Sequence, residues 1–290
     1  MTLIGWRKDL MQIHEILDRF ELLYPNNSVI MDLRRAFIDK DLHSIFRIVT
    51  SDNKEDLRKL VNEENYQSLW RLLEMYCDTR LVVSLKHFYD ENIPIAEDCL
   101  SRGQIQSKLW LVKELNKLDV NLGTIFLCAG WYGTLATLLF ESNSTIKKIL
   151  SFDIDESCVK IAENFNAPWH QKDWKFKAIT DDIMNVDYNE HHWQFWSKTN
   201  NRLSHPITDK PDTIINTSCE HLEDFNEWYG KIPKGKLLIL QTNNYFDLPE
   251  HINCSKNLID FAGQTPMTTV LYQGELYLDK YSRYMRIGVK

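Results

Sequence analysis

After residue 103 the chain alternates short, almost wholly apolar segments with helical patterns, and this alternation constrains the fold more than any other feature. Apolar strands joined by helices are typical of a parallel sheet covered on both faces. The last two apolar segments have no helix between them, which indicates an antiparallel hairpin. We therefore predict an α/β fold: a doubly wound, mostly parallel seven-stranded sheet with an antiparallel C-terminal hairpin. The segments predicted as strands are 124–128, 148–153, 174–179, 213–216, 236–241, 268–278 and 281–289.

The first 103 residues carry a different pattern. Apolar residues recur there at spacings of three and four, which predicts helices over 7–23, 28–37, 42–49 and 65–89. Only one of the ten glycines, Gly5, precedes residue 103, so tight strand connections are expected in the later part. We predict an N-terminal helical domain at 1–103 and a second domain at 104–290. The first domain carries no catalytic motif. We interpret it as a packing extension, an oligomer contact or a lid.

Charge and cysteine content narrow the class of protein. Forty-one acidic and 34 basic residues give a net charge of −7, which argues against a protein whose main task is to hold a phosphate backbone. Six scattered cysteines without a CxxC pair predict reduced thiols. Adjacent histidines such as His191 and His192 do not make a metal site by themselves, so no metal is predicted. No leader-like start or membrane-length apolar run is present, so we expect a cytoplasmic protein with no membrane partner; its oligomeric state stays open.

A glycine-containing loop follows the first predicted strand and opens a helix. Such a loop brings backbone N–H groups close to a bound ligand. Asp153 ends the second strand and follows Gly130 by 23 positions, near the ~20 expected when an acid binds the ribose hydroxyls of a cofactor. This order of elements predicts a nucleoside-containing cofactor.

Over roughly residues 104–290 the chain resembles the class I S-adenosylmethionine-dependent methyltransferases. Ser101-Arg-Gly-Gln104 together with the glycine loop is also similar to uncharacterised methyltransferase-like proteins of tailed phages. Two features depart from the family pattern: Cys128 and Tyr132 stand where glycine is common, and the usual acid on the first strand is missing. The segments that carry the resemblance are Leu127-Cys-Ala-Gly-Trp-Tyr-Gly133, Phe152-Asp-Ile-Asp155, Thr180-Asp-Asp-Ile183 and Asn216-Thr-Ser-Cys-Glu-His-Leu222.

The resemblance implies S-adenosylmethionine as cofactor and methyl transfer to an O or N nucleophile of a small molecule. His221 and Glu220 are the implied catalytic residues, although Thr217-x-x-Glu220 could instead be a capping box. Asp181 competes with Asp182 for contact with the adenine, and Arg102 and Lys108 compete with Gln104 for the cofactor's carboxylate. The implied cofactor-binding residues are Cys128, Ala129, Gly130, Gly133, Asp153, Ile154, Asp182, Ile183, Asn216 and Gln104.

Three other functions fit the same pattern. The domain could methylate a nucleic acid or a protein, which the net charge disfavours although nucleic acid stays possible as a partner. It could be a nicotinamide-dependent oxidoreductase, against which the closing hairpin argues. It could also bind the cofactor without turnover, which the sparse glycine loop permits.

Overall fold

A computed structural model of the chain describes residues 18, 28–38, 99, 101–142, 145–172, 174–197 and 200–290. The chain forms two compact units, Met1–Gln106 and Ser107–Lys290. In the first unit, helix α1 (Ser28–Ile38) occupies the second segment predicted as helical. The other predicted N-terminal helices lie outside the described residues, apart from Asp18, which pairs with Arg34 at 2.9 Å. Helix α2 (Arg102–Leu115) begins in the first unit and continues into the second.

The described part of the second unit consists of strands and short helices in alternation, as predicted. Its further helices are α3 (Thr134–Ser142), α4 (Ser157–Phe165), α5 (Phe225–Lys231) and α6 (Leu258–Gln264), with a π-helical turn at Pro168–Lys172 and a 3₁₀ turn at Cys219–His221. Its strands are β1 (Gly123–Cys128), β2 (Ile146–Asp153), β3 (Phe176–Thr180), β4 (His191–Trp193), β5 (Trp196–Ser197), β6 (Arg202–Leu203), β7 (Ile207–Asp209), β8 (Thr213–Asn216), β9 (Leu237–Asn243), β10 (Thr269–Tyr277) and β11 (Ser282–Val289).

Seven of these strands form one sheet in the order β10-β11-β9-β8-β1-β2-β3. β1 pairs in parallel with β2 and β8, whereas β11 pairs antiparallel with both β9 and β10. The predicted mostly parallel sheet with an antiparallel C-terminal hairpin is therefore confirmed. From β1 the chain first builds outward through β2 to β3 and then crosses back to β8. The boundary between β1 and β8 is thus a topological switch point, where α/β sheets bind ligands beyond the carboxyl ends of their strands.

The central strands are buried along almost their whole length, which explains their continuous apolar sequence. All four residues of β8 are buried, as are six of the seven in β9. The core that covers this sheet includes aromatic side chains from the chain between β3 and β8, among them Tyr188 and Trp193. Among the described residues, no helix is long and apolar enough to span a membrane.

Three segments differ from the sequence-based prediction. The helix predicted from about Cys219 to Tyr229 is a 3₁₀ turn followed by α5, which begins only at Phe225. Glu220 does not take part in the possible capping box with Thr217, because its carboxylate accepts hydrogen bonds from Asn243 and Arg283 instead. The long connection 187–211, predicted as a loop, contains two small antiparallel pairs, β4 with β7 and β5 with β6. The long connection 243–266, also predicted as a loop, contains α6.

Candidate functional site

A cavity of about 350 Å³ lies beyond the carboxyl ends of β1, β2, β3 and β8. This is the edge of the sheet at which the topological switch point predicts a ligand. The connections that follow these strands therefore supply its walls. The lining residues are Ala129, Asp153, Ile154, Asp181, Asp182, Ile183, Met184, Asn216, Ser218, His221, Leu222, Glu223 and Asp224.

Asp153 is the last residue of β2 and is held in place by backbone donors. Its Oδ2 accepts a hydrogen bond of 2.8 Å from the N–H of Trp131, and its Oδ1 accepts one of 3.1 Å from the N–H of Asp155. Burial raises the pKa of Asp153 above 3.8, and these hydrogen bonds partly oppose the rise. A carboxylate offers about four acceptor positions, so its two oxygens retain acceptor capacity towards the cavity.

The loop between β1 and α3 reaches Asp153 through an unusual backbone. Ala129 and Trp131 have φ angles of +49° and +48°, a left-handed conformation that costs an L-residue about 1–2 kcal/mol. This conformation is what directs the N–H of Trp131 to the carboxylate of Asp153. Trp131 and Tyr132 stack on one another with their ring centroids 4.8 Å apart.

The two glycines of this loop have packing reasons for being glycine. A Cβ at Gly130 would lie 2.0 Å from Oγ of Ser151, so the loop can approach β2 only without a side chain there. Gly133 has a φ of +67°, and a Cβ there would lie 2.7 Å from Nδ2 of Asn166. Neither glycine lines the cavity, whereas Ala129 does.

The turn after β3 presents two neighbouring acids and two apolar side chains. Asp182 Oδ1 accepts a hydrogen bond of 2.8 Å from the N–H of Met184, which fixes the turn. The carbonyl of Ile183 accepts one of 2.8 Å from the hydroxyl of Tyr188, whose oxygen in turn accepts one from Nε1 of Trp228. Asp181 and Asp182 both line the cavity, so both remain candidates for contact with an adenine.

Asn216, the last residue of β8, carries a polar group without a partner. Its Oδ1 accepts a hydrogen bond from the N–H of Ser218, but its Nδ2 is buried and has no hydrogen-bond partner. An unpaired buried donor costs about 1–3 kcal/mol, so a ligand acceptor at this atom would be stabilising. Asn216 is one of the residues that line the cavity, so this unsatisfied donor lies close to the place where a ligand would bind.

The cavity is strongly acidic. Asp153, Asp181, Asp182, Glu223 and Asp224 line it, and no lysine or arginine is among the described lining residues. Phosphate groups bind where basic side chains or free helix N-termini face them. A concentration of carboxylates instead favours a cationic ligand and disfavours a phosphorylated one.

A second group of polar side chains lies beside the cavity, around the 3₁₀ turn. Glu220 and Arg283 form an ion pair of 2.8 Å, and both side chains are only 3% exposed. His221 lines the cavity, and its ring centroid lies 4.7 Å from that of His251. Potential ligand atoms of Glu220, His221 and His251 all lie within 4.8 Å of one another.

The structure brings most of the predicted site residues to one place. Those that line the cavity are Ala129, Asp153, Ile154, Asp182, Ile183, Asn216 and His221. Cys128 lies in the core instead, where its thiol contacts the hydroxyl of Tyr188 at 3.5 Å and burial raises its pKa to about 12. Gln104 belongs to the first unit, and its predicted role stays a prediction.

Sequence reasoning missed several lining residues, because short turn segments carry no periodic signal. These residues are Met184, Ser218, Leu222, Glu223 and Asp224. The aromatic residues of the long connections 187–211 and 243–266 predict walls of a substrate pocket, but none of the described residues of these connections lines this cavity. In the first connection the aromatic residues Tyr188 and Trp193 are buried in the core instead.

Comparison with known proteins yields similarity of fold. No family model matches the chain, and no curated protein resembles it closely enough to count as a match. Similar solved structures include N-methyltransferase NodS from Bradyrhizobium japonicum WM9 with S-adenosyl-L-homocysteine, at 10% identity and a TM-score of 0.46, covering 71% of this chain and 97% of that one. Another is magnesium protoporphyrin IX methyltransferase (ChlM) from Synechocystis PCC 6803 with bound SAH, at 14% identity and a TM-score of 0.42, covering 82% and 100% respectively. At these identities the likeness extends to the fold alone.

Proposed function

We propose that the second unit binds S-adenosylmethionine and transfers its methyl group to an O or N nucleophile of a small molecule. The acidic cavity at the switch point of the sheet is the observation that carries this proposal. Its carboxylates suit a ligand that contains a sulfonium, an ammonium and a ribose diol but no phosphate.

The residues present fit this cofactor. Asp153 keeps acceptor capacity after binding two backbone N–H groups, as a ribose diol requires. The buried Nδ2 of Asn216 is an unsatisfied donor, which can bind an acceptor of the ligand. Ile154 and Ile183 line the same cavity, and Ile154 is 73% exposed, so burial under an adenine would remove its side chain from water.

When bound, the cofactor supplies an electrophilic methyl group on a positively charged sulfur. The chain's contribution is to align an acceptor and to receive its proton. Nδ1 of His221 lies 3.0 Å from the carbonyl oxygen of Glu250. Because a carbonyl only accepts, Nδ1 carries the proton in this contact and Nε2 of the neutral ring has a free lone pair. His221 is thus the lining residue best able to receive a proton or to hold another group near the acceptor.

The acidic lining also weighs against the nicotinamide alternative. A dinucleotide carries a negatively charged pyrophosphate, which the five carboxylates that line the cavity would repel. The same repulsion opposes a nucleic acid phosphate within the cavity. A small-molecule acceptor is therefore the class that we propose.

Calorimetric titration with S-adenosylhomocysteine tests cofactor binding. Asp153→Ala should weaken binding about 5- to 150-fold, corresponding to the ~1–3 kcal/mol that follows from losing hydrogen bonds to a charged group. Asp155→Ala is the matched control: it removes an acid from the same loop that does not line the cavity, and it should bind within about twofold of the wild type, a difference of only ~0.4 kcal/mol.

Absence of binding at near-millimolar cofactor would refute the proposal. Equal weakening by the two variants would refute the role of Asp153. Transfer of a labelled methyl group to a pool of small hydroxyl and amine compounds then tests turnover. Tight binding without product from any pool would favour a cofactor-binding protein without turnover.

A further inference from the structure

Two histidines from different segments meet beside the cavity, next to a buried carboxylate. His221 ends the 3₁₀ turn after β8, and His251 lies in the connection between β9 and α6. Hydrogen bonds join the two segments: the backbone N–H of Asn253 donates to the carbonyl of Glu220 at 2.8 Å, and its side-chain amide donates to that of Cys219 at 3.1 Å. The histidines are therefore held together by the fold.

Both imidazole rings are oriented by the same kind of contact. Nδ1 of His221 lies 3.0 Å from the carbonyl oxygen of Glu250, and Nδ1 of His251 lies 2.8 Å from that of Tyr245. In each case Nδ1 must be the donor, so Nε2 of each neutral ring keeps its lone pair. Histidines that ligate metals are held in this way, with one nitrogen bound to a backbone carbonyl and the other free to ligate.

The carboxylate of Glu220 has one engaged oxygen and one free oxygen. Oε1 accepts hydrogen bonds from Nδ2 of Asn243 at 2.6 Å and from the guanidinium of Arg283 at 2.8 Å. Oε2 is buried and has no hydrogen-bond partner. A carboxylate oxygen that is buried and unpaired is costly unless a cation or a donor satisfies it.

We infer that Glu220, His221 and His251 form a binding site for a divalent transition-metal ion of the zinc class. Two imidazole nitrogens and one carboxylate oxygen make up the ligand set of zinc sites that keep a further position open. Mg²⁺ and Ca²⁺ prefer oxygen ligands alone, so the histidines select against them.

The geometry is close to what such an ion needs. Potential ligand atoms of the three residues lie within 4.8 Å of one another, whereas tetrahedral zinc with bonds of 2.0–2.1 Å holds its ligand atoms about 3.3 Å apart. Binding therefore requires the ligand atoms to approach one another by no more than roughly 1.5 Å. His221 is exposed and His251 is half-buried, so both side chains have room to move, while Glu220 stays in place.

The position of the site suggests its use, and this part of the inference rests on the proposed function. His221 belongs to both the metal site and the cavity wall. An acceptor hydroxyl bound to the open position of the ion would release its proton to solvent water more easily, because a metal ion lowers the pKa of a bound hydroxyl or water. The site thus points to an oxygen acceptor for the methyl group.

Titration with Co²⁺ alone, with no cofactor present, tests the site. The d–d absorption of Co²⁺ reports its coordination, and a sulfur charge-transfer band would reveal any thiolate ligand instead. We expect one equivalent to bind without a thiolate band, Zn²⁺ to displace it, and Mg²⁺ at equal concentration to leave it in place. His221→Ala and His251→Ala should each weaken Co²⁺ binding by more than ~100-fold. Removing the hydrogen-bond partner of a metal-ligating histidine already costs about 10–100-fold in metal affinity, and removing the ligand itself should cost more.

His205→Ala is the matched control, since it removes an exposed histidine that is not part of the cluster. It should leave the Co²⁺ affinity unchanged, and far-UV circular dichroism should show that all three variants fold. Failure to bind Co²⁺, a thiolate band, displacement by Mg²⁺, or equal binding by wild type and the two ligand variants would overturn the inference. Because this readout needs no cofactor, a protein that binds Co²⁺ but not S-adenosylhomocysteine would refute the proposed function and leave the metal site standing.

Discussion

The buried ion pair between Glu220 and Arg283 makes a sharp prediction about stability. The two groups are 2.8 Å apart and each side chain is 3% exposed, so neither charge has access to water. Arg283→Met keeps a long apolar side chain but leaves Glu220 without a countercharge. Breaking one side of such a pair typically costs about 3–5 kcal/mol. Arg283 also donates to the carbonyl of Thr217 at 2.7 Å, and that acceptor would lose its partner as well.

Removing both charges should cost much less. In Glu220→Gln/Arg283→Met the glutamine still offers an oxygen to Asn243, and no unpaired charge is buried. We expect the double variant to lose only about 1–2 kcal/mol, the cost of the missing hydrogen bonds. The double variant should therefore be about 2–3 kcal/mol more stable than Arg283→Met alone, which would show that the two positions are coupled.

Native-state amide hydrogen exchange is the suitable assay, because it reads the second unit separately from the first. Peptides from β8 and β9 give the free energy of opening of the sheet that carries Asn243 and Arg283. A cost below about 1 kcal/mol for Arg283→Met would contradict the buried-charge argument. A double variant less stable than both single variants would contradict the coupling.

Three further predictions concern the cavity and the core. Affinity for S-adenosylhomocysteine should fall on acidification, and the fall should begin at a pH above the pKa of an ordinary aspartate. The reason is that burial raises the pKa of Asp153 and only its ionised carboxylate accepts two ribose hydroxyls. Calorimetry across pH should show this loss of affinity in the wild type and not in Asp153→Asn. Tyr188→Phe should reduce the unfolding free energy measured in urea by about 3 kcal/mol. The variant leaves the buried indole N–H of Trp228 and the backbone carbonyl of Ile183 without the hydroxyl that binds them both. A loss below about 1 kcal/mol would contradict this reasoning. Gly133→Ala should lower the unfolding free energy by about 2–4 kcal/mol, because the new side chain would combine a positive φ with a close contact. Gly235→Ala is the control: its φ is +85° but the space around it is open, so it should cost only about 1–2 kcal/mol. Equal losses in the two variants would exclude a steric contribution at Gly133.

The sheet could be predicted because its strands are buried on both faces. The apolar run at 125–128 is typical of a strand that is buried on both faces, and the order of strands and helices then predicted a parallel sheet. The start of α5 could not be predicted. Cys219 and Glu220 continue an apparent helical pattern, but the carboxylate of Glu220 is engaged by Asn243 and by Arg283 of a distant strand.

For the site, residues at strand ends were predictable and residues in turns were not. Asp153 and Asn216 could be predicted as site residues because they end strands at the edge of the sheet where ligands bind. The meeting of His221 with His251 is invisible in the sequence, because it depends on how the connection after β9 folds back onto the 3₁₀ turn. At Gly130 and Gly133 packing against β2 and α4 is enough to require glycine, and their predicted contact with the cofactor stays a prediction.

The left-handed backbone at Ala129 and Trp131 has a consequence for how this protein would respond to selection. Glycine at position 129 would relieve about 1–2 kcal/mol of backbone strain but would cost ~0.5–1 kcal/mol of added chain entropy, so the net gain in stability is up to about 1.5 kcal/mol. A laboratory population selected only for heat resistance should therefore acquire glycine in this loop. One selected for ligand binding should retain the strained residues, because a more flexible loop would hold the N–H of Trp131 less firmly against Asp153. The two populations should therefore differ in amino-acid sequence at Ala129 and Trp131.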